Sequence, residues 1–209
     1  MPKPKRIRIL VADDHHIVRS GLAASLGLED DLEIVGEAES GTQAIALFSK
    51  TTPDVVLMDL RMADGGGIES TAALRAKVPD ARVIIYTTFD GDEDVYRAVQ
   101  AGARGYLLKS APRTELLAAI RTVAAGERYL PPELAKRLAE RVSGPDVSER
   151  EIEVLRLISA GKSNKEIGAT LHIAEDTVKR HVSNILTKLG VSDRAQAATE
   201  AIRRGFLHF

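Results

Sequence analysis

Five short apolar segments of β type lie between residues 7 and 108, and they constrain the fold of this part of the chain most strongly. Three of them are almost continuously apolar. This pattern is typical of strands in a parallel sheet that is buried on both faces. Amphipathic segments of helical spacing separate them, and Ser40 with Gln43 has the spacing of a capping box. The segments are IRILVA (7–12), EIVGE (33–37), DVVLM (54–58), RVIIY (82–86) and GYLL (105–108). This alternation predicts an α/β fold, a doubly wound parallel five-stranded sheet.

The chain beyond residue 125 has a different pattern, without strand-like segments. Residues 131–142 read as a charged helix with Pro at its start, and the sequence SGPD at 143–146 interrupts it. Four short helices are predicted after that break, at 148–160, 164–171, 175–189 and 194–204. We therefore predict an α/β domain at 5–125, a linker with a helix at 126–145, and a small all-α four-helix domain at 146–209.

Composition limits the possible classes of protein but does not indicate a binding partner. The 29 Lys and Arg residues nearly balance 30 Asp and Glu, so any nucleic-acid surface must be local. The absence of Cys excludes a disulfide framework and thiolate metal sites, and it fits a reducing compartment. No apolar run is long enough to span a bilayer or to form a signal-peptide core, so we expect a cytoplasmic protein with no membrane partner.

Polar residues that follow the predicted strands indicate a site at the carboxyl edge of the sheet, where doubly wound folds bind ligands. They are Asp13, Asp14, Asp59, Thr87 and Lys109. Three converging carboxylates would repel one another unless a cation lay among them. Because hard oxygen ligands are few here, Mg²⁺ is the expected ion.

The same residues suit phosphoryl chemistry. The Thr87 hydroxyl and the Lys109 ammonium can bind phosphoryl oxygens, and Asp59 can act as a nucleophile that forms an aspartyl phosphate. Each residue alone is more simply read as structural, because Asp is common at strand ends. Together they favour a functional site. His15 and His16 are interpreted as loop or helix-start residues and not as metal ligands, since no partner His or Cys lies at ligand spacing.

Residues 161–182 have the layout of a helix-turn-helix. On its last helix one face is apolar, formed by Val178, Val182, Ile185 and Leu189. The polar side chains of Lys179, Arg180 and Ser183 point largely away from this apolar face. From 162 to 204 there are eight Lys or Arg against five acidic residues, an excess that a solvated helical bundle explains as well as DNA binding does.

The first half resembles the receiver domain of two-component response regulators, which is flavodoxin-like. The matching segments are VADDH (11–15), VVLMD (55–59), YTT (86–88) and AGARGYLLK (101–109). The resemblance implies that a sensor histidine kinase phosphorylates Asp59 and that Thr87 and Lys109 bind the phosphoryl oxygens. It also implies a Mg²⁺ site formed by Asp13, Asp14, Asp59 and the main-chain carbonyl of Arg61, and a switch formed by Thr87 and Tyr106. Gly66-Gly67 stands where the family usually has Asp-Gly, and Ala63 where it usually has Pro, which should loosen the loop after Asp59.

The second half is similar to the LuxR-type DNA-binding domain over about sixty residues, which places the chain in the NarL/FixJ class. The matching segments are SEREIEVL (148–155), GKSNKEI (161–167), DTVKRHV (176–182) and KLGVSDR (188–194). The resemblance implies double-stranded promoter DNA as a partner, with RNA polymerase, and a homodimer on activation. By the same resemblance Lys179 and Arg180 enter the major groove with Ser183 one turn on, and Lys165, Lys188 and amides near Thr177 meet phosphates. Ala174 stands where a Ser often caps the recognition helix, so we expect no side-chain cap there.

The resulting expectation is a transcription regulator and not an enzyme, and two alternatives stay open. One is a Mg²⁺-dependent phosphotransferase or hydrolase on the same fold, which uses similar residues. The other is a regulator that works without phosphorylation, or a module that binds only protein partners.

Overall fold

The chain folds into two compact units, which we describe separately. A computed structural model describes residues 6–63, 66–143 and 146–207, with the main chain alone at 142 and 143. The first unit takes in the chain up to Asp90 together with Arg97–Ala135, and the second combines Gly91–Tyr96 with the chain from Lys136 onward. The boundaries 5–125, 126–145 and 146–209 stay predictions, and positions 5, 144, 145, 208 and 209 lie outside the described residues.

A parallel sheet forms the centre of the first unit and confirms the predicted fold class. Its strands are β1 (Ile7–Ala12), β2 (Leu32–Ala38), β3 (Val55–Met58), β4 (Val83–Thr87) and β5 (Gly105–Leu108). Their spatial order is β2-β1-β3-β4-β5, so the order switches between β1 and β3. Ligands of open α/β sheets bind at the carboxyl edge beside such a switch.

Apolar side chains on both faces of the central strands bury the middle of the sheet, while the edge strand β2 is partly exposed. In β3, for example, Val55 and Val56 face opposite sides and neither is exposed. Residues from α1 and α5, including Leu22 and Ile120, pack with Val55 into one core cluster. Full burial of each such side chain contributes about 1.5–3 kcal/mol. The helices of this region are α1 (His16–Leu26), α2 (Gly41–Thr51), α3 (Gly66–Lys77), α4 (Asp92–Gln100) and α5 (Arg113–Ala124).

An edge contact follows α5 that the sequence did not predict. The Tyr129 amide donates to the Arg104 carbonyl at 2.9 Å, and the Tyr106 amide donates to the Tyr129 carbonyl at 3.1 Å. The Tyr129 side chain packs on the core cluster, and its hydroxyl lies 3.2 Å from a carboxylate oxygen of Glu115. One bridge of this kind is too short to produce a strand pattern in the sequence, which is why Tyr129 falls within the predicted linker.

Helices alone form the rest of the described chain. They are α6 (Pro132–Ser143), α7 (Glu149–Ser159), α8 (Asn164–Leu171), α9 (Glu175–Leu189) and α10 (Arg194–Arg203). Complete capping boxes start α7 at Ser148 with Glu151 and α8 at Ser163 with Glu166. Among the described helices, none combines the length and apolar character that crossing a bilayer requires.

A tight turn joins α8 to α9 and sets the helix-turn-helix geometry. Gly168 lies so close to this turn that a Cβ atom there would be 2.7 Å from the Ile173 carbonyl oxygen. His172 ends α8 in the left-handed conformation, with φ of 54°. On α9, Val178 and Ile185 are fully buried, which confirms the predicted apolar face. Burial of this face directs the remaining side chains of α9 outward.

Candidate functional site

Three strand ends bring charged groups together at one edge of the sheet. Asp13 follows β1, Asp59 follows β3 and Lys109 follows β5. The Lys109 Nζ atom lies 2.6 Å from Oδ2 of Asp13 and 2.9 Å from Oδ2 of Asp59. Asp13 is 2% exposed and Asp59 is 5% exposed. One ammonium therefore bridges two buried carboxylates.

The main chain fixes Asp59 at this edge. Its amide donates to the Ala12 carbonyl at 2.8 Å, and its Oδ1 atom accepts from the Leu60 amide at 2.8 Å. Gly67, in the first turn of α3, approaches so closely that a Cβ atom would lie 1.9 Å from the Asp59 carbonyl oxygen. At Gly67 the glycine therefore permits close packing and does not loosen the chain. Residues 64 and 65 of the intervening loop lie outside the described residues.

Asp14 and His15 complete the cluster on its exposed side. The His15 Nδ1 atom lies 2.7 Å from Oδ1 of Asp14 and 3.3 Å from Oδ1 of Asp13. Oxygen or nitrogen atoms of Asp13, Asp14, His15 and Asp59 all lie within 4.8 Å of one another, close enough to share a metal ion. The three carboxylates and the Lys109 ammonium carry a formal charge of about −2. A divalent cation fits both this charge and the oxygen-rich donor set.

Burial and the ion pair have opposing effects on the pKa values of Asp59 and Lys109. Burial raises the pKa of the Asp59 carboxyl above its ordinary value of 3.8, and this outweighs the opposing effect of Lys109. Burial works against the charge of Lys109, but its hydrogen bonds to Asp13 and Asp59 together raise its pKa. A simple ion pair would lower the carboxyl pKa. Asp59 differs because its desolvation by burial exceeds the effect of Lys109, and the neighbouring Asp13 carboxylate adds a smaller increase.

Asp59→Asn should therefore stabilise the first unit in buffer without Mg²⁺. The uncharged amide removes a burial penalty that is fully present above the raised pKa of Asp59 and is relieved as pH falls through that pKa toward 3.8. We expect the thermal midpoint to rise by about 2–4 °C at neutral pH and the gain to shrink on acidification. Mg²⁺ should raise the midpoint of the parent more than that of the variant. A less stable variant at neutral pH without Mg²⁺ would contradict this view of the site.

Thr87 and Tyr106, the predicted switch residues, meet at the main chain of Phe89. The Phe89 amide donates to Oγ1 of Thr87 at 3.3 Å, and the Tyr106 hydroxyl donates to the Phe89 carbonyl at 2.7 Å. Both side chains are buried. The Arg61 guanidinium lies over the Phe89 ring, 3.9 Å from its centroid. Phe89 could not be predicted from sequence, because these polar contacts are main-chain contacts and its ring has no reactive group.

A cavity of about 550 Å³ opens onto this edge of the sheet. It is open to Asp59 and Lys109 and has room for a phosphoryl group and a hydrated cation. Its wall includes Thr88, whereas the fully buried Thr87 does not line it. The residues that line it are Asp14, His15, Val18, Asp59, Arg61, Met62, Ala63, Thr88, Phe89 and Lys109.

On α9 the polar residues predicted to meet DNA form an exposed surface. Lys179, Arg180 and Ser183 are all exposed. The Lys179 Nζ atom lies 2.9 Å from Oδ1 of Asp176, and this exposed acid raises the Lys179 pKa. Ala174 provides no side-chain cap, as expected, and the Thr177 amide donates to its carbonyl at 3.0 Å.

Lys188 and Lys165, two predicted phosphate contacts, have different surroundings. The Lys188 Nζ atom lies 2.7 Å from Oε2 of Glu151, which is 3% exposed and also belongs to the capping box of α7. Lys165 is exposed on α8. Glu151 therefore both caps α7 and forms an ion pair with Lys188. The DNA contacts of Lys188 and Lys165 stay predictions, and Lys188 has a structural role in addition.

Comparisons with known proteins agree with the family resemblance of both halves of the chain. Residues 9–121 match the response regulator receiver domain, and residues 146–201 match the bacterial regulatory proteins of the luxR family. The transcriptional regulatory protein LiaR of Bacillus subtilis (strain 168) is 44% identical over 205 residues, covering 94% of this chain and 97% of LiaR.

Solved structures of response regulators are also similar to this chain. The response regulator ChrA, from a heme-sensing two-component system, is 41% identical with a TM-score of 0.58, covering 97% of this chain and 99% of that one. A structure of two RcsB dimers bound to two parallel DNAs is 25% identical with a TM-score of 0.71, covering 95% and 99%. The chain therefore belongs to the response regulators of two-component systems, and it carries a LuxR-type DNA-binding domain that makes it a transcription regulator.

Proposed function

We propose that phosphorylation of Asp59 switches the binding of this regulator to promoter DNA. The observation that carries the proposal is the single Lys109 ammonium between the buried carboxylates of Asp13 and Asp59. In the proposed transfer, an Asp59 oxygen forms a bond to phosphorus while the P–N bond of a phosphohistidine on a sensor histidine kinase breaks. The leaving imidazole then takes up a proton from water. Lys109 would turn its ammonium from the carboxylates to the new phosphoryl oxygens.

Asp13, Asp14, Asp59 and the Arg61 main-chain carbonyl would hold Mg²⁺. When bound, Mg²⁺ supplies positive charge beside the phosphoryl oxygens. The Lys109 ammonium alone does not neutralise the three carboxylates. The Leu60 amide, already bonded to Oδ1 of Asp59, holds the acceptor carboxylate in position.

The proposed switch links the phosphoryl group to Phe89. If the Thr87 hydroxyl turns to a phosphoryl oxygen, the Phe89 amide loses its acceptor and the loop after β4 must rearrange. The Tyr106 hydroxyl, bonded to the Phe89 carbonyl, would respond to the same movement. A change from mostly inactive to mostly active needs about 5 kcal/mol of differential stabilisation, which a few charge-assisted bonds can supply.

For DNA, we propose that Lys179 and Arg180 read base edges in the major groove, with Ser183 one turn on. Lys165, Lys188 and the amide of Thr177 would meet phosphates. Lys179 would exchange its exposed partner Asp176 for DNA, and surface ion pairs of this kind are weak enough to permit that.

Arg180→Ala and Lys165→Ala should weaken DNA binding in different ways. Loss of a base contact at Arg180 should cost about tenfold in affinity for a selected operator and reduce discrimination against random DNA. Loss of a phosphate contact at Lys165 should weaken both DNAs equally and lower the salt slope by about one. Fluorescence anisotropy over a range of salt concentrations measures both effects. Unchanged discrimination between operator and random DNA in Arg180→Ala would show that Arg180 does not contact bases in the major groove.

We also propose that the phosphorylated chain forms a homodimer that acts with RNA polymerase in the cytoplasm. An apolar surface at α1 supports self-association, because Ile17 is 85% exposed and Leu28, just after the helix, is 78% exposed. Light scattering with and without a phosphodonor tests the dimer.

A further inference from the structure

His15 presents a nitrogen ligand to the acidic cluster, which the sequence interpretation did not anticipate. It is the N-cap residue of α1, yet its side chain makes no capping hydrogen bond. The imidazole instead turns to the carboxylates, with Nδ1 2.7 Å from Asp14 and 3.3 Å from Asp13. No His or Cys lies at ligand spacing from His15 in the sequence, and its partners are instead carboxylates from the adjoining loop.

Asp13 separates this nitrogen from the lysine. Its Oδ2 atom faces Lys109 at 2.6 Å, and its Oδ1 atom accepts from the His15 amide at 2.8 Å. The imidazole therefore lies on the side of the cluster away from the ammonium, where a cation would meet less repulsion. The His15 side chain is 70% exposed, so its ring can move by the small distance that ligation needs without disturbing the core.

We propose that His15 is a direct ligand of the cation bound by Asp13, Asp14 and Asp59, and that it shifts the selectivity of this site from Mg²⁺ toward Mn²⁺. This inference rests on the proposed cation site. Mg²⁺ prefers oxygen and keeps several waters, so it gains little from an imidazole. Mn²⁺ also favours oxygen ligands, but as a first-row transition metal it binds an imidazole nitrogen more readily than Mg²⁺ does, so the same nitrogen adds to its affinity. The proposed ligand is thus a divalent first-row transition metal such as Mn²⁺, held by three carboxylates and one imidazole.

Pulsed electron paramagnetic resonance of the full chain loaded with Mn²⁺ alone tests ligation directly. The expected spectrum shows coupling of Mn²⁺ to a ¹⁴N nucleus, which is lost in His15→Ala and retained in His16→Ala. His16 is a matched control, because it is the neighbouring exposed imidazole and contacts Ser20 at 3.5 Å instead of the carboxylates. Replacement of the coupling by that of ¹⁵N, after selective labelling of histidine, would identify the ligand as an imidazole.

Titrations with Mn²⁺ and with Mg²⁺ at one fixed pH separate ligation from positioning. His15→Ala should lower the affinity for Mn²⁺ about tenfold while the affinity for Mg²⁺ stays nearly constant. Equal losses for both ions would show that His15 only orients Asp14, and the proposal would be wrong. Mn²⁺ binding without nitrogen coupling would overturn it as well, and would leave the cation site of the proposed function intact. No binding of either ion would overturn both.

Discussion

Asp59→Asn is expected to reduce phosphorylation by a small acyl phosphate, in the presence of Mg²⁺, by at least about a hundredfold. The amide cannot supply the anionic oxygen that attacks phosphorus, and Lys109 would retain Asp13 as a partner at 2.6 Å. Mass spectrometry of the intact protein measures the incorporated phosphoryl group.

Asp54→Asn is the matched control, because Asp54 lies just before β3 and Asp59 just after it. The Asp54 carboxylate accepts from the Arg8 amide at 2.9 Å, at the opposite edge of the sheet from Lys109. Its variant should be phosphorylated at the parental rate. If Asp59→Asn were labelled as fast as the parent, the acceptor would be another residue.

Glu151→Ala should lower the free energy of unfolding of the helical unit by about 2–3 kcal/mol. The substitution removes the acceptor of the Ser148 amide at 2.8 Å and leaves the Lys188 ammonium without its partner at 2.7 Å. Burial raises the Glu151 pKa, but Lys188 and Ser148 together hold it below its ordinary value of 4.5. This stabilisation is therefore fully present above pH 4.5 and is lost as pH falls through the lowered pKa. Hydrogen exchange of α7 and α9 amides in increasing urea measures the change.

Glu166→Ala provides the comparison. Glu166 forms the same capping box with Ser163, its Oε2 atom lying 2.8 Å from the Ser163 amide, but it is exposed and the Lys162 ammonium is 3.7 Å away. Its loss should cost much less than that of Glu151. Equal losses would mean that the capping bond, and not the buried pair with Lys188, accounts for the stability.

The sequence predicted the sheet and the strand-end residues because both follow from local pattern. Continuous apolar segments such as 54–58 are typical of buried parallel strands, and the carboxyl ends of parallel strands share one edge. Convergence of Asp13, Asp59 and Lys109 therefore followed from the topology. Capping residues such as Ser40 are equally local, because the spacing of Ser40 and Gln43 predicts the start of α2.

Residues whose role depends on a tertiary neighbour could not be predicted in this way. Phe89 contacts Thr87 and Tyr106 through its main chain, which any residue type could do. The pairing of Glu151 with Lys188 joins positions 37 residues apart, and no periodicity records it. The turn of His15 toward Asp14 depends on the loop geometry at the end of β1.

Affinity for a selected operator, measured with and without an acyl phosphate and Mg²⁺, tests most directly whether Asp59 controls DNA binding. Mass spectrometry of the same samples would give the phosphorylated fraction, and Asp59→Asn would serve as the control. We predict that affinity rises in the parent in proportion to that fraction and does not change in Asp59→Asn. Equal affinity of the fully phosphorylated and unphosphorylated parent would contradict the switch and favour a regulator that works without phosphorylation.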